Sequence, residues 1–127
     1  MNIRVLLIHR DKNIYWTISN ALTRAGFITF HASSGDEGID VLNQIDPGVV
    51  VINVNEGITG RKNILKEIKK NPRTSVIAVG NNLKSQAVKE IIELGAIYIS
   101  VKSLEINKLI KTINESVKYN KSLAISV

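Results

Sequence analysis

Short apolar runs alternate with longer polar stretches along this chain, and the two kinds of segment have different periods. Val5-Leu6-Leu7-Ile8, Val49 to Val54, Val76-Ile77-Ala78-Val79 and Ile97 to Val101 are unbroken and rich in β-branched residues. That is the pattern of strands covered on both faces. Phe27-Ile28-Thr29-Phe30 is a weaker fifth run, predicted nearer a sheet edge. Between the runs, apolar residues recur at spacings of three and four. The last such segment is the clearest, with Ile106, Leu109, Ile110, Ile113 and Val117 on one stripe and Lys108, Lys111 and Lys118 on other faces. In the first, Ile14, Ile18, Ala21, Leu22 and Ala25 form the expected buried stripe, with Tyr15 and Trp16 on its flank or outside it. Ser34-Gly35-Asp36-Glu37 reads as a capping box opening the second helix. Gly26 and Gly95 stand where left-handed C-caps would end helices, and Ser103 suits the N-cap of the last helix.

Five strand–helix alternations predict a mostly parallel sheet covered by helices on both faces. Right-handed crossovers leave few topologies for it. Sites in such sheets lie beyond the carboxyl ends of the strands. Here those ends are His9-Arg10-Asp11, Asn53-Val54-Asn55, Gly80-Asn81 and Lys102-Ser103.

At 127 residues, 44% hydrophobic and 22% charged, the chain suits one globular domain and not a disordered segment. No apolar run approaches the roughly 20 residues needed to cross a bilayer, so no membrane role is expected. The absence of cysteine excludes disulfides and thiolate metal sites. With no signal-peptide pattern at the N-terminus, it points to the cytoplasm. The net charge of +6 is uneven. Residues 1–59 hold four Lys/Arg against six Asp/Glu, whereas residues 60–127 hold thirteen against five. Arg61, Lys62, Lys66, Lys69, Lys70 and Arg73 are opposed locally only by Glu67. Such a cluster can attract nucleic acid or an acidic partner, and is as often a solvated helix face.

The strand ends are short of acid. His9 and Arg10 follow the first strand, and Lys102 adds a further positive charge at the end of the fifth. Two cations some 6 Å apart repel by roughly 3 kcal/mol at an effective dielectric near 20, which disfavours Mg²⁺. Arg10 either occupies the cation's place and bonds Asn53 or the Glu56 loop, or points into water. Lys102 either pairs with Asp11 or Glu56, or lines a cationic pocket able to take an anion near His9 and Arg10. No nucleophile–base–orienter set can be assembled, so no catalytic residue is expected.

Five βα units in about 120 residues, with Pro47 before the third strand, Gly60 opening the third helix and Gly95-Ala96 leading to Lys102, resemble a response-regulator receiver domain. The resemblance covers residue 3 to about residue 118. It implies a flavodoxin-like, CheY-like three-layer α/β sandwich, with five parallel strands in the order 2-1-3-4-5 and five helices. In that family an acidic pair after the first strand holds Mg²⁺, and the matching positions are His9 and Arg10, with Asp11 one residue beyond. The phosphoacceptor position is Asn53, and an amide is a very poor nucleophile where a carboxylate would attack phosphorus. The family's hydroxyl residue falls at Gly80 and its switch aromatic, three residues before the lysine, at Ile99. Only Lys102 matches, and Ser103 replaces the usual proline. The resemblance thus implies a degenerate receiver, with no metal cofactor expected.

The expected function is a phosphorylation-independent signalling module that binds a protein partner or dimerises. Receivers commonly use the fourth helix, fifth strand and fifth helix for this, which here offer Lys89, Glu90, Glu93, Lys108, Lys111 and Glu115. Tyr15 and Trp16 form a second candidate surface, unless one of them folds over a neighbouring helix. Two other classes stand beside it: a sensor of an anionic small ligand at the strand ends, and a nucleic-acid contact through the basic third helix. Residues 1–121 are expected to form the domain, with 122–127 a tail or the start of a linker to an output domain.

Overall fold

The computed structural model describes residues 3–55, 62–100 and 105–126, with side chains to residue 118. Glu56, Gly60, Arg61, Val101, Lys102 and Ser103 lie outside the described residues. The elements alternate as β1 (Arg4–Ile8), α1 (Lys12–Arg24), β2 (Ile28–Ala32), α2 (Gly35–Ile45), β3 (Val49–Asn53), α3 (Lys62–Lys69), β4 (Ser75–Gly80), α4 (Ser85–Glu93), β5 (Ile97–Ser100) and α5 (Ile106–Ser126). All five strands pair in parallel in the order β2-β1-β3-β4-β5. This is the expected flavodoxin-like sheet, with its switch in strand order between β1 and β3.

Strand alternation divides the core into two layers. Leu6, Ile8, Val50, Ile52, Val76 and Ala78 face α2, α3 and α4, where Leu42, Ile64, Leu65, Ile68 and Ile91 meet them. Val5, Leu7, Val49, Val51 and Ile77 face α1 and α5, meeting Ile18, Leu22, Leu109 and Ile113. Each fully buried side chain of this size contributes about 1.5–3 kcal/mol.

Several boundaries depart from the sequence pattern. β2 runs through His31 and Ala32, because these pair with Leu7 and Ile8 of β1. It is an edge strand, as expected, with Ile28 at 41% exposure. α5 reaches Ser126, so residues 122–126, expected as tail or linker, are helical. The buried stripe of α1 is Tyr15, Ile18, Ser19 and Leu22, rotated from the expected one. Ile14 is 38% exposed and Ala25 is the C-cap. The rotation is stabilised by polar partners on β2, since the Ser19 and Thr29 hydroxyls lie 2.6 Å apart and Tyr15 stacks on His31.

The caps follow the expected chemistry with one change. Gly26 and Gly95 take positive φ (96° and 94°), which costs nothing without a Cβ. The Ser34 hydroxyl accepts from the Glu37 backbone N–H at 3.2 Å, but Glu37 Oε2 returns to Ser33, accepting from its hydroxyl at 2.6 Å and its backbone N–H at 3.1 Å. Those bonds hold the Glu37 carboxyl below its ordinary value of 4.5, with smaller help from the His31 and Lys12 charges. A depressed folded value gives stability that is present above the unfolded value and lost as pH falls through the folded one. Glu37→Gln should therefore show a shallower acid loss of stability, measured by urea unfolding at neutral pH and at about pH 3.

Candidate functional site

The carboxyl ends of β1, β3 and β4 bring His9, Arg10, Asp11, Asn53, Gly80 and Asn81 to one edge of the sheet. His9 extends β1, its backbone N–H donating to Ala32 O at 3.1 Å. Its ring Nδ1 accepts from the Asp11 backbone N–H at 2.9 Å, so the neutral ring carries its proton on Nε2. The His9 carbonyl accepts from His31 Nε2 at 2.9 Å, and the His31 ring stacks on Tyr15 with centroids 4.1 Å apart. Asp11 is the N-cap of α1: its Oδ1 accepts from the N–H groups of Asn13 at 2.9 Å and Ile14 at 3.4 Å. Arg10 is exposed.

Asn53 ends β3 half-buried. Its Oδ1 accepts from the Asn55 N–H at 3.1 Å, and Asn55 Oδ1 in turn accepts from the Asn81 N–H at 2.5 Å. The backbone N–H of Val54 also donates to Val79 O at 3.0 Å. The ends of β3 and β4 are thus tied together by side-chain amides. This donor set does not suit Mg²⁺, which favours carboxylate oxygens and water in octahedral array. Among the described residues at these strand ends, Asp11 is the carboxylate, and it is engaged in capping.

Gly80 is buried, and Ile99 is 6% exposed in the core layer under α1 and α5. Tyr98 is half-buried and packs on the opposite core layer, as Leu83 and Leu94 do. Sequence spacing singled out neither Tyr98 nor His31. Of the residues expected as an interaction surface, Lys89, Glu93, Lys108 and Lys111 are exposed. Glu90 instead pairs with Lys62 of α3 at 2.6 Å. Tyr15 is not a surface residue: it is only 9% exposed, with its ring stacked on His31 and tilted against Trp16 at 5.2 Å. Trp16, the single tryptophan, is 58% exposed. Within the basic cluster, Lys70 pairs with Glu67 at 2.9 Å, so with the Lys62–Glu90 pair part of its charge is matched.

The sequence profile of the response regulator receiver domain matches residues 5–114. The chain belongs to that family. Receiver domains are signalling modules that engage protein partners. A comparison with curated protein sequences finds no match. Among solved structures, the receiver domain protein from Clostridium thermocellum is 25% identical, with a TM-score of 0.84, covering 95% of this chain and 98% of its own. The signal receiver domain of a putative LuxO repressor protein from Vibrio parahaemolyticus has 18% identity and a TM-score of 0.85, covering 99% and 98%. NtrX from Brucella abortus has 21% identity and a TM-score of 0.85 over 99% of this receiver, which spans only 28% of that chain. For the last two, the likeness is one of fold. No described helix of this receiver is long and apolar enough to cross a membrane.

Proposed function

We propose that this receiver domain signals without being phosphorylated, acting as a protein-interaction or dimerisation module. The observation that carries this reading is Asn53. An amide stands at the strand end where the family's chemistry needs a nucleophilic carboxylate, and it is already bonded to the following turn. His9 and Arg10 in place of an acidic pair remove the charge that would hold Mg²⁺ beside it. A receiver that cannot accept a phosphoryl group still retains surfaces through which it binds.

The face of α4, β5 and α5 is the proposed contact. It presents Lys89, Glu93, Lys108, Lys111 and Glu115 with exposed Ile92 (54%) and Ile97 (43%), so mixed charge surrounds apolar area. A two-fold arrangement can pair such charges reciprocally. We expect weak self-association by analytical ultracentrifugation. Lys111→Glu should weaken it by up to about five-fold, as an exposed ion pair contributes about 0.2–1 kcal/mol. A strict monomer at millimolar concentration would count against self-pairing and direct attention to a different partner at Trp16. The partly matched charge on α3 lends little support to a nucleic-acid role.

A further inference from the structure

The end of β4 is closed by an aromatic residue one position earlier than family spacing designates. β5 pairs Tyr98 with Ala78 and Ser100 with Gly80, so Ala96 and Tyr98 share the face turned toward α4 while Ile99 turns away. Gly80 is buried at the mouth of this layer. A Cβ added there would meet Leu83 Cδ1 at 3.0 Å, Tyr98 Oη at 3.1 Å and Val54 Cγ2 at 3.1 Å. These contacts are tight from three directions: the end of β3, the β4–α4 loop and β5. Val54 is fully buried, whereas Leu83 and Tyr98 are half-buried and meet the site with the far ends of their side chains. Leu83 also lines a shallow groove along α4 with Ser85, Val88, Lys89, Ile92 and Glu93.

We propose that the Tyr98 phenol and the bare backbone of Gly80 form a steric latch, which keeps the β5 aromatic inward and holds Leu83 and the α4 groove in one arrangement. The phenol hydroxyl lies 3.1 Å from where a Cβ at this position would stand, so a side chain there must displace it or its neighbours. Gly80 is therefore not simply a lost hydroxyl. Its missing Cβ is the condition for Tyr98 to sit inside, and Leu83 links that choice to the surface of α4. The latch is steric, and it holds whether or not residue 53 can carry a phosphoryl group.

The test uses the full chain labelled with 3-fluorotyrosine, Tyr98→Phe assigning one resonance among the three tyrosines. The wild-type protein should give a single Tyr98 resonance with a small H₂O/D₂O isotope shift. Gly80→Ala should move that resonance and raise its isotope shift toward the solvent value, with methyl shifts at Leu83, Val88 and Ile92. Two Tyr98 resonances, or a solvent-level isotope shift, in the wild-type protein would overturn the latch. So would a folded Gly80→Ala protein with an unchanged Tyr98 resonance. Because Gly80→Ala costs stability, a thermal-melt cycle with Tyr98→Phe supplies the second arm. The fall in Tm caused by Gly80→Ala should shrink when the hydroxyl is gone, and an equal fall, or loss of folding in both backgrounds, contradicts the proposal.

Discussion

Gly38→Val should lower the unfolding free energy by about 2–3 kcal/mol and the melting temperature by about 10 °C. Gly38 is buried in α2 where the helix comes down on β1 and α3. A Cβ there would lie 2.6 Å from Ile64 Cδ1 and 2.7 Å from Ile8 Cδ1, inside any real contact distance. Both isoleucines are almost completely buried, at 0% and 1% exposure, so neither methyl can retreat into water. Helix α2 must then lift or the two side chains must leave their rotamers, which is the cost of overpacking. The helical gain on replacing glycine offsets only a few tenths of a kcal/mol for a β-branched residue. Gly48→Ala is the control. Its Cβ would meet Ile3 Cγ2 at 3.4 Å and Arg4 O at 3.9 Å, ordinary contact distances, and stability should change by less than about 0.5 kcal/mol. Chemical denaturation of both variants checks the pair, and equal stabilities would mean that α2 packs more loosely than described.

The sheet was legible from sequence because its central strands are covered on both faces, and such strands must be continuously apolar. β1, β3 and β4 meet that condition; right-handed crossovers left few topologies, and the resemblance to receiver domains supplied the strand order that the sheet shows. β2 was less legible because it lies at an edge. His31 and Ala32 belong to it through pairing with β1 and not through their own hydrophobicity. The phase of α1 was misread for a related reason. Helical periodicity registers aliphatic residues, whereas Tyr15 and Ser19 are buried because His31 and Thr29 on another element receive them. At the candidate site, the residue types that end the strands could be read directly, since family spacing ties Asn53 and Gly80 to strand ends. Their connections could not. The Asn53–Asn55–Asn81 chain spans two loops, and Tyr98 was hidden by counting back from Lys102. Strand alternation from the buried Ala96 would have put Tyr98 on the α4 side.

The second large effect is chemical and close to all-or-none. The wild-type domain should gain no phosphoryl group from a small phosphodonor in the presence of Mg²⁺. Attack on phosphorus needs a lone pair of carboxylate character, and the Asn53 amide delocalises its electrons into the carbonyl. The metal that would offset charge between donor and acceptor has no acidic pair to bind, because Asp11 caps α1 and its neighbours are His9 and Arg10. Asn53→Asp is a structural match, since a carboxylate oxygen can accept the same Asn55 N–H. That variant should fold. It should nevertheless show no spread of NMR shifts from residue 53 to residues 85–110 with Mg²⁺ and beryllofluoride. A ligand moves an equilibrium only through differential affinity for two states. Gly80 and Ile99 supply neither the hydroxyl nor the mobile ring of such a second state.

Intact-mass measurement of the wild-type protein after incubation with acetyl phosphate, with and without Mg²⁺, tests the phosphorylation-independent account most directly. The mass should be unchanged in both samples. A Mg²⁺-dependent gain of one phosphoryl group, removed by hydroxylamine as an acyl phosphate would be, would contradict it.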